Sequence, residues 1–393
     1  MATIKEYEIL IYAYDLGGYK LSYGRQDEVD AVIVTIDSDD GHRGYGEANP
    51  WQPFTKESAD DVFNVLKDRL LPMVAALGST DPWRVQQLFD ETPDDDLIAK
   101  GAINMALMDL EGKRQRKPVA DLLGPIVHAT VEVSRPLNNG TADDVIPVID
   151  EAIQDGYRHF MLKAGSKDYP ASGEIPRLAR LRQRYGDKAI FKIDANTGWS
   201  MEEARAFFDS LPDELGHGYL RYVEEPIAKE DNDGIAELQL MTEVPVFADE
   251  RLTGVASAKE LIAKHAVRGF SIKISKNGGI LNAQAIARLG IEAGLLIYPN
   301  SMAEGGITQA SSLHLIATLD NLVDAGGSYR SVLRLGGRDV TNFHEFIKRD
   351  EDGLVKVHLP TGPGLGIEID EGKLRSGAKR IYRSCEGQVR FRE

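Results

Sequence analysis

Between His159 and Ser301 short apolar strands alternate with amphipathic segments, and several of the strands end in charge. They read HFMLKAG (159–165), IFKIDAN (190–196), LRYVEEP (220–226), VPVFADE (244–250), FSIKISKNGG (270–279) and LLIYPNS (295–301). Helically spaced stretches such as MEEARAFFDSL, AELQLM, AKELIAKHA and NAQAIARLGIEAG follow them. Strand then helix, repeated about every 25 to 30 residues, is the pattern of parallel βα units. When such units close on themselves, the C-terminal strand ends share one face, and that face is the active one in βα barrels.

Residues i and i+2 of a strand share a side. Lys192, Asp194 and Asn196 therefore fall together, as do Tyr222 with Glu224, Phe247 with Asp249, Met161 with Lys163, and Ser271 with Lys273. If the apolar set packs on outer helices, the charged set points into the barrel, where a charge is costly unless paired or bound to metal. Asp194, Glu224 and Asp249, on three consecutive strands, would repel one another without a cation between them. An all-oxygen, carboxylate-rich set suits a hard ion, Mg²⁺ at one per subunit, with Mn²⁺ as the alternative.

With VEVSRPL (131–137) as strand one, Lys163 ends strand two, the carboxylates end strands three to five, and Lys273 ends strand six. The two lysines then face each other across a ring of eight strands. A substrate carboxylate on the metal would place its α-carbon between two amines, one to remove the α-proton and the other to deliver a proton or assist a leaving group. A free lysine, with a pKa of about 10.4, is protonated near neutrality. Burial and a nearby divalent cation both lower it.

A barrel takes about 250 residues, and 393 leave room for a second domain. Residues 1–125 read as an α+β domain. Two strands, KEYEILIYAY and AVIVTIDSDDGHRGYGEA, flank a loop, DLGGYKLSYGRQDEVD, and three helical stretches follow from residue 57 to residue 118. The barrel is expected over 126–345, with strand eight at NLVDAGG (321–327). From 346 to 393 the chain is irregular, and KVHLPTGPGLGIEID is expected to return to the first domain. A hydrophobic content of 42% supplies a sizeable core. The single cysteine, Cys385, excludes an internal disulfide framework. With no signal-like start and no long apolar run, a cytoplasmic location is expected. A formal charge of −16 argues against nucleic acid or an anionic membrane as partner.

Several motifs together resemble the enolase superfamily, and within it the muconate lactonizing enzyme subgroup, over nearly the whole chain. They are GYGEANP, AINMALMDLEGKRQRKPVADLLG, DAN (194–196), VEEP (223–226), ADE (248–250), IKISKNGG, NSMAEGGIT and LPTGPGLGIEID. The resemblance implies an α/β fold, a modified TIM barrel of (β/α)7β type, with an N-terminal α+β capping domain completed by the C-terminal segment. It implies Mg²⁺ on Asp194, Glu224 and Asp249, acid–base chemistry by Lys163 and Lys273, and a supporting role for Glu304. Substrate contacts are expected from loops near 15–25 and 49–58, hence Tyr19, Trp51 and Phe54, and from Asn196, Ser301 and Met302. Such relatives are homo-oligomers acting on small-molecule carboxylates.

Two departures stand out. The subgroup reads K-x-K on strand two, where this chain has Met161 before Lys163, which removes a cationic neighbour of the base. Dipeptide-epimerising relatives resemble a D-x-D pattern on strand eight; here Leu322, Val323 and Asp324 retain a single aspartate, which disfavours that reaction.

Plainer readings stand beside these. Lys192 and Asn196 read as supporting or pairing groups, Trp51 and Phe54 as packing aromatics, His314 as a core histidine and NGG (277–279) as a helix-entry turn. Glu304 stands between a helix-cap role and a functional one. The chemistry expected is Mg²⁺-dependent proton abstraction α to a carboxylate through a metal-stabilised enolate. Racemase or epimerase of an amino-acid-like carboxylate ranks first, cycloisomerase second and dehydratase third. Outside that class stand a phosphate-sugar barrel enzyme, because glycine-rich stretches follow strands seven and eight, and a non-catalytic binding barrel, motivated by Met161.

Overall fold

A computed structural model describes residues 2–21, 24–52, 54–93, 95–167, 169–216, 218–324, 326–385 and 388–391. The side chains of residues 17–21 lie outside the described residues, and with them the expected contact from Tyr19.

The chain opens with three antiparallel strands, β1 (Ile4–Leu21), β2 (Gly24–Ser38) and β3 (Arg43–Ala48). Period two sends their side chains into two different cores. Ile9, Ile11, Val32, Val34 and Ile36 pack with Phe63, Leu66 and Leu107 of the helices that follow. Leu10, Tyr12, Tyr14, Leu16 and Ile33 join the core of the barrel. The sheet is thus a wall shared by both halves.

The helix Leu97–Gln115 lies against β3, and two glycines make that approach possible. A Cβ at Gly44 would stand 1.9 Å from the Ala106 carbonyl oxygen, and one at Gly46 would stand 1.8 Å from that of Ala102. Asp109 on the same helix accepts from Tyr45 N at 3.0 Å and from Leu365 N at 2.9 Å, tying together three distant stretches of chain.

The stretch expected as a loop, DLGGYKLSYGRQDEVD, is instead mostly β-ribbon. Asp15 pairs with Glu28, Tyr19 with Gln26 and Leu21 with Gly24. The register shifts between Asp15 and Tyr19, where Gly17 and Gly18 let an irregularity into the ladder without ending it.

Parallel strands then follow in order: β4 (Thr130–Leu137), β5 (His159–Lys163), β6 (Ile190–Asp194), β7 (Leu220–Glu224), β8 (Val246–Ala248), β9 (Gly269–Ile272) and β10 (Leu296–Pro299). The intervening helices face the strands through apolar stripes such as Val145, Ile149 and Ala152, and several start at capping boxes, Thr141 with Asp144 and Ser200 with Glu203. The eighth strand is broken. Leu322 bridges Ile297 of β10, Asp324 turns through a left-handed φ of 55°, and β11 (Gly326–Gly327) pairs with β4. Leu322 thus meets the last parallel strand, and Gly326 and Gly327 meet the first.

Beyond 346 the chain divides between the two halves. The hairpin of β12 (Ile347–Arg349) and β13 (Val355–His358) pairs with β4 in the barrel sheet, so the KVH part of the tail does not return to the first domain. The return is made by β14 (Ala378–Arg383), which pairs with β1, and by β15 (Gln388–Phe391) on its far side. The capping sheet runs β15-β14-β1-β2-β3. Among the described residues no helix is long and apolar enough to cross a membrane.

Candidate active site

The register of the parallel ladder sets the site. Lys163 pairs with Asp194 across β5 and β6, and Asp194 with Glu224 across β6 and β7. Glu224 faces Phe247 on β8, which puts Asp249 two residues further toward the open end. Lys273 follows the last residue of β9. Four non-glycine residues hold left-handed backbones near this rim: Asn196 (φ 44°), Thr197 (φ 63°), Glu225 (φ 42°) and Ala303 (φ 71°). Strain of this kind persists only where surrounding structure enforces it, and it concentrates at functional sites.

Each amine rests on a carboxylate. Lys163 Nζ contacts Asp194 Oδ2 and donates to Asn196 Oδ1 at 3.1 Å. Asn196 in turn donates to Glu250 Oε1 at 3.0 Å. Lys273 Nζ contacts Asp249 Oδ2 and lies 4.2 Å from the centre of the Phe54 ring. Lys276 Nζ holds the other Asp249 oxygen at 2.8 Å. Glu224 accepts from Ser271 Oγ at 3.0 Å and from Asn300 Nδ2 at 2.9 Å. Below the rim, the buried Arg177 donates to the carbonyls of Lys163 (3.2 and 3.3 Å) and Gly140 (2.9 Å), fixing the end of β5.

Asp194, Glu224 and Asp249 are all buried. Burial, followed by the charges of Asp194 and Asp249, pushes the Glu224 carboxyl well above its usual range. Asp249 goes the other way: burial opposes its ionisation, but Lys273 and Lys276 together hold it below the usual range. Glu250 is pushed up to about 8, first by burial and then by Asp249 and Asp194. Among the described residues no three His, Cys, Asp or Glu side chains are drawn together into a ready metal cluster, and two of the three carboxylates are engaged with ammonium groups instead. The residues nonetheless fit a hard cation. They are buried oxygen donors on adjacent strands, and the mutual repulsion seen at Glu224 is what a divalent ion between them relieves.

A cavity of about 890 Å³ opens over these strand ends. Trp51, Phe54, Lys163, Asp194, Asn196, Lys273, Ser301 and Met302 line it, all of them singled out from the sequence. Glu304 does not stand among them. It is buried, and its Oε2 accepts from Ser301 Oγ, from Met302 N at 2.7 Å and from Gln309 Nε2 at 3.1 Å, so it organises the turn after β10. His314 is a core residue, with Nδ1 accepting from Ala120 N and Nε2 donating to the Leu365 carbonyl.

Met161 belongs to an apolar cluster inside the barrel with Tyr222, Phe247, Tyr298 and Val323. Directly opposite it in register is Lys192, whose Nζ lies 4.4 Å from the Tyr298 ring centre and 5.8 Å from that of Tyr222. Burial brings this amine down to about 8. A buried cation thus stands one strand away from the position where the subgroup pattern has its first lysine.

Sequence reasoning missed Lys276, Glu250, Asn300 and Arg330, and it put Ser271 on the barrel-facing side without giving it a role. Lys276 follows Lys273 by three residues in KISKNGG, and Glu250 lies next to Asp249, so both carried a signal in spacing alone. Arg330 carried none, because its approach to the cavity depends on how the broken eighth strand turns.

Comparison with known proteins accords with this geometry. Residues 147–373 match the family described as enolase C-terminal domain-like, and residues 11–124 match the N-terminal domain of mandelate racemase and muconate lactonizing enzyme. The chain is 27% identical to an N-succinyl-L-Arg/Lys racemase of Bacillus cereus over 359 residues, 91% of this chain and 92% of that protein. It is 30% identical to a chloromuconate cycloisomerase of Pseudomonas sp. over 320 residues, 81% and 83% of the two chains. The crystal structure of the Bacillus cereus N-succinyl Arg/Lys racemase superposes with a TM-score of 0.86 at 25% identity, covering 97% of this chain and 99% of the other. Two matched domain families in order, over a barrel with this arrangement of lysines and carboxylates, place the chain in the enolase superfamily, in its muconate lactonizing enzyme subgroup.

Proposed function

We propose that the protein removes the proton α to a substrate carboxylate, with Lys163 and Lys273 as its acid–base pair, and that the net reaction is racemisation or epimerisation of an amino-acid-like carboxylate. The observation that carries this is the placement of two amines in one cavity from elements four strands apart, each seated on a different aspartate. Amines on opposite sides of an α-carbon suit proton removal from one face and return to the other.

Members of the superfamily use Mg²⁺. Asp194, Glu224 and Asp249 would hold it here, and it would stabilise the negative charge that develops on the substrate carboxylate. The remaining chemistry belongs to the chain. A lysine must be neutral to accept a proton; burial disfavours the charge on Lys273, but the Asp249 carboxylate it contacts outweighs burial and holds its pKa above the ordinary lysine value. Lys273, seated on Asp249, is therefore the proton donor of the pair in this state. Asn196 steadies Lys163 from the side, and the Phe54 ring covers Lys273.

A cycloisomerase is the second reading, favoured by the 30% identity to a chloromuconate cycloisomerase. It uses the same pair, one lysine acting on the carbon acid while the ring closes or opens; a dehydratase ranks third. A small-molecule carboxylate substrate, a homo-oligomeric assembly and a cytoplasmic setting accompany all three.

The test is NMR of α-proton exchange in D₂O with Mg²⁺, over amino acids, N-acyl amino acids and sugar acids, alongside Lys163→Ala and Lys273→Ala. Exchange with inversion, lost in both variants, is the expected outcome. Exchange accompanied by ring closure would move the assignment to cycloisomerase, and by water loss to dehydratase. No exchange from any acid, with Mg²⁺ bound, would overturn the proposal.

A further inference from the structure

The two amines of the site are held in different ways. Lys273 has 5% of its side chain exposed and lies under the Phe54 ring. Its main chain is pinned by Asn277, whose Oδ1 accepts from Lys273 N at 2.9 Å and whose Nδ2 donates to the Leu252 carbonyl at 2.7 Å. Lys163 has 31% of its side chain exposed and meets Asp194 and Asn196 at its amine. The direction of so open an amine depends on how firmly the backbone beneath it is fixed.

That backbone is gripped by a charge from the helix layer. Arg177, on the helix Glu174–Tyr185, is buried, and both its terminal nitrogens donate to the Lys163 carbonyl, at 3.2 and 3.3 Å. One of them also donates to the Gly140 carbonyl at 2.9 Å, and the guanidinium carbon lies 5.2 Å from the centre of the Tyr169 ring. Glu174, three residues earlier and equally buried, contacts the guanidinium as its counter-charge. Gly140, Lys163 and Tyr169 all line the cavity. One side chain therefore ties the chain leaving β4 and the chain leaving β5 to the residue that carries the amine.

Stability alone is a poor reason for such a pair. Taking two charges out of water costs about as much as their attraction returns, and apolar residues of similar bulk often serve as well or better. What a guanidinium adds is direction, because its planar fork holds acceptors at set angles. Direction matters for a reacting group, since a misplacement of about 1 Å can lower a rate by on the order of 100-fold.

We propose that Arg177 is a positioning residue for Lys163, setting through the Lys163 carbonyl where that amine meets the substrate, and that it controls proton transfer on one face of the α-carbon alone. This rests on the reading that Lys163 and Lys273 act on opposite faces. Phe54, Asn277 and Leu252, which support Lys273, are not partners of Arg177, so the effect is one-sided.

The test follows wash-out of the α-proton in D₂O without inversion, for each enantiomer separately, using the acid that the unaltered protein exchanges fastest. The variants are Arg177→Lys, and Glu174→Leu combined with Arg177→Met, which removes both charges and leaves no lone buried one. In the double variant wash-out should fall about 10- to 100-fold, with KM unchanged, for the enantiomer that Lys163→Ala silences, and by less than about twofold for the one that Lys273→Ala silences. Arg177→Lys should recover part of the loss. An equal fall for both enantiomers, or no fall, overturns the proposal.

Reductive methylation with formaldehyde, read at each lysine by mass spectrometry, needs no substrate. Lys163 should label at least about threefold faster in the double variant while Lys273 is unchanged, because the end of β5 opens more often. Unchanged labelling of Lys163 also overturns the proposal. Faster labelling of Lys163 in a protein that exchanges no acid would sink the proton-abstraction reading and leave the hold of Arg177 on Lys163 standing.

Discussion

Lys273 Nζ stands 4.2 Å from the centre of the Phe54 ring, so an amine carried by the barrel is covered by a side chain from the capping half. A cation over an aromatic face gains about 0.5 to 2 kcal/mol, more as water is excluded. Phe54→Leu keeps the bulk and removes the ring. It is expected to lower kcat/KM for α-proton exchange by about 3- to 30-fold while leaving Mg²⁺ affinity unchanged in calorimetry. An unchanged kcat/KM would show that the ring only fills space.

The three carboxylates at the ends of β6 and β7 and just beyond β8 are expected to govern metal binding together. Asp194→Asn, Glu224→Gln and Asp249→Asn should each weaken Mg²⁺ binding by at least about tenfold, and chelation should abolish exchange in the unaltered protein. Glu225→Gln makes a sharp comparison. Glu225 accepts from Asp249 N at 2.8 Å and from Arg251 Nε at 2.7 Å, so it belongs to the scaffold, and its loss should cost stability more than metal affinity. Equal Mg²⁺ affinity in Asp249→Asn and the unaltered protein would remove Asp249 from the ligand set.

His314 makes stability depend on pH in a stated direction. Burial brings its pKa down to about 4, and the neutral ring accepts from Ala120 N at 3.1 Å and donates to the Leu365 carbonyl at 3.0 Å. The unfolded chain binds the proton near pH 6.5, so between about 6.5 and 4 it holds more protons than the folded one. The stabilisation is therefore complete above about pH 6.5 and is lost as pH falls toward 4, by up to about 3 kcal/mol. Urea unfolding at pH 7.5 and 4.5 should show a smaller acid loss in His314→Gln than in the unaltered protein. Equal losses in the two would exclude His314 as the source.

Glu47, the acidic residue of GYGEANP, fastens the capping half to the barrel. It is fully buried, with Oε1 accepting from Gly305 N and Asn49 Nδ2 at 2.9 and 3.0 Å and Oε2 from Thr308 N at 2.9 Å. Glu47→Ala strands these donors and should cost about 3 kcal/mol or more in unfolding free energy, with Glu47→Gln costing less because one oxygen remains. A loss below about 1 kcal/mol in Glu47→Ala would mean that water or a rearranged turn replaces the carboxylate.

What could be read along the chain was whatever depends on period and order. The two-residue alternation put Asp194, Glu224 and Asp249 on one side of three successive strands, and the βα count put Lys163 and Lys273 across from each other, because strand geometry leaves little choice once the units are recognised. Trp51, Phe54, Asn196, Ser301 and Met302, which the family resemblance implied as substrate contacts, line the cavity. Three-dimensional packing settled the rest. Much of the stretch from Asp15 to Asp30 pairs as ribbon, although its glycines and polar residues read as loop, because the strand ladder continues past the irregularity at Asp15 to Leu21 opposite Gly24. Glu304 lies in the same turn as Ser301 and Met302, yet hydrogen bonds within that turn draw its carboxylate away from the cavity. Lys192 stands opposite Met161 only because β5 and β6 pair in one register, and Arg330 lines the cavity although no motif or period singled it out. Strand period and the order of elements are local properties that the amino acids carry with them. Register between strands, the direction of a turn and the partner that claims a buried charge are set by contacts between residues far apart in the chain, and those exist only once it has folded.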